Sequence, residues 1–251
     1  MRRPLIVGNW KMNLNRRQAV ELAEAVARGV GANGPADVAV CPPSVYLNAV
    51  GAALRGSRVG LGAQNVYHQP DGAFTGELST AMLKDVGCRF VIVGHSERRH
   101  ILGETNADVN QKLLAVLATG LTPILCVGEK LEERQSGRTQ DVVREHLETG
   151  LEGVSTEDAA RVVIAYEPVW AIGTGVVATP DQAEEVHADL RSLLASRYND
   201  QTAAGAIIQY GGSVKPDNAA QLLGQKNIDG FLVGGASLKA DSFLAIVGAA
   251  K

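Results

Sequence analysis

Eight short apolar runs recur along the chain and predict buried strands. They are rich in Val and Ile and apolar at successive positions, which is typical of strands covered on both faces in a parallel sheet. The runs are LIVGN (5–9), DVAVCP (37–42), VGLGAQN (59–65), FVIVG (90–94), PILCVG (123–128), VVIAYEP (162–168), AIIQYGG (206–212) and DGFLVGG (229–235).

The segments between these runs predict helices. RRQAVELAEAVARGV (16–30) and DQAEEVHADLRSLLASRY (181–198) each carry the apolar stripe of a helix laid on a sheet. Helix-start signals stand at Asn15 with Gln18, Thr105 with Asp108, Ser155 with Asp158, and Thr179-Pro180 with Gln182.

Strand-then-helix units repeat along 251 residues with no linker-like stretch or change of composition. We therefore expect one α/β domain over residues 1–251, a closed (β/α)8 barrel with a parallel eight-stranded core, in preference to a doubly wound open sheet.

The composition and net charge of the chain restrict the kinds of partner and the compartment that we expect. The net charge is −3 and paired basic residues are dispersed, so a nucleic-acid-binding surface is not expected. No apolar run approaches the roughly 20 residues that span a bilayer, and the N-terminus does not resemble a signal peptide, so we expect a cytoplasmic protein without a membrane segment. Cys41, Cys88 and Cys126 are far apart in apolar segments, which predicts buried reduced thiols and no metal site.

Polar residues at the carboxyl ends of the predicted strands are the candidates for chemistry, because that end of a barrel carries the active site. They supply a carboxylate base, an imidazole, a cation and small-residue turns, which suit proton transfer next to a carbonyl on a substrate with an anionic tail. The candidates are Asn9, Lys11, Gln64, Asn65, His95, Ser96, Glu97, Glu167, Ser213, Gly234 and Gly235.

Glu167 is the candidate base, because burial at the barrel mouth would raise the pKa of its carboxyl group. The alternative is a strand-end Glu paired with a nearby Lys. His95 begins a predicted helix, whose N-terminus opposes a positive charge on the ring, so a neutral imidazole could donate to an oxyanion. The alternative is a structural histidine.

Lys11 lies two residues past Asn9 and would place a cation over the barrel mouth. A solvated lysine and a Schiff-base lysine are the alternatives. YGGSV (210–214) and LVGGAS (232–237) bring paired glycines directly after strands 7 and 8, so their backbone N–H groups could hold a phosphate. Tight turns use such pairs too.

With these residues placed, the chain resembles the triosephosphate isomerase family over essentially its whole length. The motifs that carry the resemblance are GNWKMN (8–13), GAFTGE (72–77), VIVGHSERR (91–99), CVGE (126–129), AYEPVWAIGTG (165–175), YGGSV (210–214) and GFLVGGASL (230–238).

The resemblance implies interconversion of dihydroxyacetone phosphate and D-glyceraldehyde 3-phosphate through an enediol(ate), in glycolysis and gluconeogenesis, without a metal or organic cofactor. On that basis Glu167 moves the proton between carbons and neutral His95 polarises the carbonyl. Lys11 and Asn9 stabilise negative charge, and Glu97 orients Lys11.

The phosphate would be held by the backbone N–H groups of Gly173, Ser213, Gly234 and Gly235, the first of them brought in when residues 168–178 close as a lid. Val176 stands where family lids commonly have Lys, which affects the lid and its surface charge without removing a catalytic group.

The resemblance also implies a homodimer formed through the loop 65–79, with Thr75 reaching into the partner's site near Asn9 and Lys11. Two other functions stay open. One is a Schiff-base aldolase, which borohydride trapping on Lys11 would reveal, and the other is a barrel that binds without catalysis.

Overall fold

Eight parallel strands close into a barrel in the computed structural model, which describes residues 2–172 and 177–250. Each strand pairs with its neighbours in chain order, and β1 pairs with β8 to complete the ring. The strands are β1 Leu5–Asn9, β2 Asp37–Cys41, β3 Gly60–Ala63, β4 Cys88–Val93, β5 Thr122–Val127, β6 Val163–Tyr166, β7 Ile208–Tyr210 and β8 Gly230–Val233. The predicted (β/α)8 barrel is confirmed.

Helices follow the strands and cover the outer face of the barrel. Within the described residues they are α1 Arg16–Val30, α2 Leu47–Ala53, α3 Thr80–Asp85, α4 Ser96–His100, α5 Asn106–Ala118, α6 Leu131–Gln135, α7 Thr139–Gly150, α8 Thr156–Ala159, α9 Pro180–Arg197, α10 Asp200–Gly205, α11 Ala219–Leu223 and α12 Ala240–Gly248. Short 3₁₀ turns lie at Ser44–Tyr46, Val169–Ala171 and Gly235–Leu238.

All four predicted helix starts are confirmed by capping hydrogen bonds. The Asn15 side chain accepts from the N–H of Gln18 at 3.0 Å, and the Gln18 side chain accepts from the N–H of Asn15 at 3.0 Å. Such reciprocal caps satisfy N–H groups that a helix start leaves unpaired. Thr105 and Thr179 form the same reciprocal caps on α5 and α9, and the Ser155 side chain caps α8 by accepting from the N–H of Asp158 at 3.1 Å.

The continuous apolar runs are explained by two layers of core. Alternate strand residues, such as Leu5 and Val7, fill the barrel interior, and those between them, such as Ile6, pack under the helices. A strand buried on both faces therefore has no polar alternation. The three cysteines are free and buried, as predicted.

Some strands are shorter than the apolar runs that predicted them. The run at 59–65 forms strand only over Gly60–Ala63. Just past that strand, the Gln64 side chain donates to the carbonyl oxygens of Lys11 and Cys41 at 2.8 and 2.9 Å. The run at 206–212 forms strand only over Ile208–Tyr210, although the N–H of Gly211 still donates to the carbonyl oxygen of Tyr166 at 2.7 Å.

Candidate active site

Lys11 is held in an unusual backbone conformation just past β1. Its φ is +50°, in the left-handed region that non-glycine residues rarely occupy. The Asn9 side chain accepts from the N–H of Lys11 at 3.0 Å, while Gln64 donates to its carbonyl oxygen at 2.8 Å. These bonds fix a strained turn at the barrel mouth, as is common at functional sites.

The Lys11 ammonium lies 2.6 Å from Oε1 of Glu97. Glu97 belongs to α4, which follows β4, so two separate strand ends bring the ion pair together. The structure thus places Lys11, Asn9 and Glu97 next to each other.

His95 forms the N-cap of α4. Its Nδ1 accepts from the backbone N–H of Glu97 at 3.2 Å, so Nδ1 carries no proton in this arrangement. A neutral ring then has its proton on Nε2, which lies 2.9 Å from Oε1 of Glu167. The helix N-terminus thereby fixes the tautomer that points a donor into the barrel mouth.

Glu167 is buried directly after β6, with its second oxygen also bonded. The backbone N–H of Ser96 donates to its Oε2 at 2.9 Å. Together with the contact to His95, this bond orients the carboxylate toward the start of α4. His95 and Glu167 both line a cavity at the mouth of the barrel.

The predicted rise in the pKa of Glu167 is wrong for this arrangement. Burial raises the pKa of the carboxyl group, but the charge and hydrogen bond of His95 and the N–H of Ser96 outweigh burial and hold the pKa below its ordinary value. For His95 the effects have the opposite signs. Burial lowers the pKa of the imidazole, the Glu167 carboxylate raises it, and the resulting pKa lies above the ordinary value. The sequence indicates that Glu167 is buried, but it does not show the contact between Glu167 and His95.

The backbone of Glu167 is locked between neighbouring strands. Its N–H donates to the carbonyl oxygen of Val127 at 2.8 Å. A Cβ on Gly128 would stand 1.8 Å from the Glu167 carbonyl oxygen, so only glycine fits there. The position of the carboxylate is therefore set by the adjoining strand.

Ser213, Gly234 and Gly235 line a cavity of about 300 Å³. Asn9, Lys11, His95 and Glu167 line the same cavity. The chain after β7 and the 3₁₀ turn after β8 therefore meet the acid–base residues in one space. Gly173 lies outside the described residues, as does Val176.

No role was predicted for Glu129, although CVGE was among the motifs. Glu129 is buried two residues past β5, and its Oε1 accepts from the Tyr166 hydroxyl at 3.1 Å, from Trp170 Nε1 at 2.9 Å and from Arg134 at 3.1 Å. It thus ties the segment after Glu167 to the barrel. Its place just past a strand end was the signal, because the other candidates were found by the same rule.

The role of Ser96 was missed because a backbone N–H leaves no mark in a sequence. A second buried carboxylate was also missed. Glu104 contacts the ammonium of Lys112, and Arg98 Nε lies 3.0 Å from Glu104 Oε1. Lys112 Nζ donates in turn to the Asn65 side chain at 3.0 Å, which fixes the start of the loop 65–79.

The loop 65–79 presents an aromatic cluster on the surface. The rings of Tyr67 and Phe74 lie 4.7 Å apart, and Phe74 is 40 % exposed. Thr75 is exposed beside it. A second cavity, of about 420 Å³, lies next to the loop and shares Asn9, Lys11 and His95 with the first.

Within residues 2–172 and 177–250, no group of three or more His, Cys, Asp or Glu side chains could hold a metal ion. Over the same residues, no helix has the length and apolar character needed to cross a membrane.

Comparison with known proteins identifies the family. A family model described as triosephosphate isomerase matches residues 4–250. A protein of Rhodopirellula baltica named triosephosphate isomerase is 55 % identical over 249 residues, which cover 99 % of this chain and 98 % of the relative. A protein of the same name from Chloroflexus aurantiacus is 52 % identical, and the match covers 98 % of this chain and 99 % of the relative. One from Lactobacillus delbrueckii subsp. bulgaricus is 49 % identical, and the match covers 98 % of each chain. Since the model spans almost the whole chain and the relatives align along their full length, the chain belongs to the triosephosphate isomerase family.

Proposed function

We propose that this protein is an aldose–ketose isomerase that interconverts dihydroxyacetone phosphate and D-glyceraldehyde 3-phosphate, as an enzyme of glycolysis and gluconeogenesis. The observation that carries the proposal is the buried pair of Glu167 and His95, 2.9 Å apart at the mouth of the barrel. The pair lines a cavity that is also lined by the Lys11 side chain and by the glycine turns after β7 and β8. The family membership supports the same reaction.

Glu167 acts as the base. It takes a proton from the carbon next to the carbonyl and returns it to the adjacent carbon, a proton transfer by a positioned side chain. A substrate that enters between Glu167 and His95 separates them. The contact that holds down the pKa of Glu167 is then lost, and burial, which raises the pKa, makes the carboxylate a stronger base.

His95 acts as the neutral donor to the substrate oxygens. Its Nδ1 is occupied by the N–H of Glu97, so proton exchange with the substrate takes place at Nε2. Separation from Glu167 also removes the main cause that raises the pKa of His95, leaving burial, which lowers it. The imidazole is then neutral when it polarises the carbonyl.

Lys11 and Asn9 stabilise the negative charge that develops on the enediolate. The strained turn at Lys11 holds the ammonium at the cavity in advance, so no reorganisation is needed as charge develops. Glu97 keeps the ammonium in place through the 2.6 Å ion pair.

The phosphate is held by backbone N–H groups of Ser213, Gly234 and Gly235, joined by Gly173 when residues 168–178 close over the site. The 3₁₀ turn Gly235–Leu238 follows Gly234 directly, and the start of a helical turn favours an anion. Exclusion of water on closure strengthens the electrostatic contacts with the intermediate.

The Schiff-base alternative is less well supported. A lysine nucleophile needs a free amine, usually in an apolar pocket. The Lys11 nitrogen is instead engaged with the carboxylate of Glu97 at 2.6 Å.

We also propose a homodimer formed through the loop 65–79, with Thr75 close to the partner's Asn9 and Lys11. The exposed Phe74 and the neighbouring 420 Å³ cavity support this. Other large apolar side chains are exposed as well, which is typical of an interaction surface. They include Val45, Met82 and Ile101, and also Met12 and Leu102, which line that cavity.

The compartment and domain organisation are further parts of the proposal. Three free, buried cysteines agree with a reducing cytoplasm. One barrel over residues 1–251 agrees with a ring that is completed by the pairing of β1 with β8.

A coupled assay with dihydroxyacetone phosphate tests the activity. The purified protein should produce D-glyceraldehyde 3-phosphate far faster than solution, and Glu167→Gln, which keeps the shape but lacks the base, should lose most of that rate. Turnover equal to that of solution, or equal turnover by Glu167→Gln, would show that this site does not catalyse the reaction.

A further inference from the structure

The charged side chains around the 300 Å³ cavity include a second lysine besides Lys11, and an anion is favoured there only because of this second positive charge. Lys11, Lys215 and Glu167 are the charged side chains among its lining residues. The ammonium of Lys11 is matched by Glu97 at 2.6 Å. The Glu167 carboxylate then opposes the entry of a phosphate dianion into the cavity, because like charges repel each other.

Lys215 is the cation that remains. It is exposed, lies two residues past Ser213 and lines the same cavity as Ser213. Among the described residues its ammonium forms no ion pair or hydrogen bond, so its charge is not compensated locally.

The backbone of Lys215 is anchored to the proposed phosphate site. Oδ1 of Asn218 accepts from the N–H of Lys215 at 2.8 Å, while Nδ2 of Asn218 donates to the carbonyl oxygen of Ser213 at 3.1 Å. One side chain thus ties Lys215 to Ser213, whose N–H is a proposed phosphate donor. The lysine is therefore fixed at the phosphate end of the cavity, and its long side chain can follow the anion.

We propose that Lys215 attracts the phosphate dianion into this cavity and sets the preference of the site for dianionic ligands. The assignment of the anion as the phosphate of a triose rests on the proposed function. Lys215 acts on capture and binding of the phosphate group and takes no part in proton transfer, which occurs at Glu167 and His95.

Calorimetric titration with inorganic phosphate tests the role without requiring catalysis. At low ionic strength Lys215→Gln should bind phosphate about threefold more weakly and Lys215→Glu about tenfold more weakly, while Lys215→Arg should match the unaltered protein. Lys226→Gln is the matched control, because Lys226 is an exposed lysine at the opposite end of the barrel, just before β8.

Kinetics provide the second measurement. Lys215→Gln should lower kcat/KM by a similar factor with kcat unchanged, and the difference should largely vanish in about 0.5 M salt, where screening acts within a few ångströms. An effect that persists at high salt, or one that appears equally in Lys226→Gln, would overturn the proposal.

The two proposals fail differently. Absence of isomerase activity in the unaltered protein would overturn the proposed function. Unchanged phosphate affinity of Lys215→Gln at low salt would overturn the role of Lys215 whether or not the protein is an isomerase.

Discussion

At the scale of single residues, Glu167 is positioned through three separate contacts. Its N–H is bound to Val127, its Oε2 accepts from Ser96 and its Oε1 faces His95. The first contact comes from the end of β5 and the other two from the start of α4, so the carboxylate has little freedom to compensate for a change in its own length.

Glu167→Asp should therefore lower kcat strongly. Withdrawal of the carboxylate by one methylene misplaces it by about 1 Å, which can cost about 100-fold in rate, while KM should change little because phosphate binding is untouched. Steady-state kinetics of the variant and of Glu152→Asp, an exposed glutamate, make the comparison. A kcat equal to that of the unaltered protein would remove Glu167 from the mechanism.

His187 is a buried residue of helix α9 that should affect the stability of the fold in acid. Burial lowers its pKa to about 3 from 6.5, with Nδ1 3.2 Å from the carbonyl oxygen of Asn227 and Arg191 nearby. Between these pH values the unfolded chain binds a proton that the folded protein does not. The free energy of unfolding should therefore fall as pH falls below 6.5, until about pH 3.

Urea unfolding from pH 7 downward checks this at a fixed protein concentration. One such histidine contributes a slope of about 1.4 kcal/mol per pH unit, so His187→Gln should show a correspondingly shallower loss. His146→Gln should behave alike, since burial also lowers the pKa of His146 to about 3. Parallel pH profiles for His187→Gln and the unaltered protein would contradict the expectation.

At the scale of elements, caps hold the helices that surround the site. Helix α1 buries one stripe against the barrel, and its first N–H groups depend on Asn15 and Gln18. Helix α9 begins directly behind the segment 168–178, where Thr179 and Gln182 form the same reciprocal cap before and after Pro180. The end of the proposed lid is thereby fixed to a stable helix start.

Asn15→Ala should reduce the free energy of unfolding by about 1 kcal/mol, because it removes the acceptor for the Gln18 N–H. Equilibrium unfolding in urea measures the loss. Arg17→Ala, in the exposed first turn of the same helix, should change stability by less than about 0.5 kcal/mol. Equal losses in the two variants would argue against a specific capping contribution.

At the scale of the whole molecule, the barrel places its chemistry and its proposed interface at the same end. The two cavities share Asn9, Lys11 and His95, and one is also lined by the turns after β7 and β8 and the other by residues of the loop 65–79. A partner that covers the second cavity would contact the residues next to the acid–base pair. Dimerisation and activity are therefore expected to depend on each other.

Phe74→Glu should weaken the dimer by at least about 30-fold, since truncating or charging a central aromatic commonly costs about 2 kcal/mol or more. Sedimentation at several concentrations gives the dissociation constant, and the monomeric fraction should show reduced kcat. Leu114→Glu places the same charge at a comparably exposed leucine on α5 and should leave the dimer intact. Dimers of Phe74→Glu as tight as those of Leu114→Glu would exclude the loop as the interface.

The amino-acid sequence by itself determined the barrel, the helix starts and the candidate site. Two-sided burial produces continuous apolar strands, and capping bonds join residues three apart, so both are visible in local pattern. The rule that chemistry lies at strand ends located Lys11, His95 and Glu167, and would have located Glu129 had strand 5 been included.

Only the tertiary structure decided how those residues act on one another. Glu97 lies 86 residues from Lys11, and the N–H of Ser96 lies 71 residues from Glu167, so neither contact has a local signature. The direction in which the pKa of Glu167 shifts depends on the balance between burial and the contacts with His95 and Ser96. The sequence indicates the burial but does not indicate these contacts. Charge interactions depend on distance in space, and the closing of the barrel sets that distance.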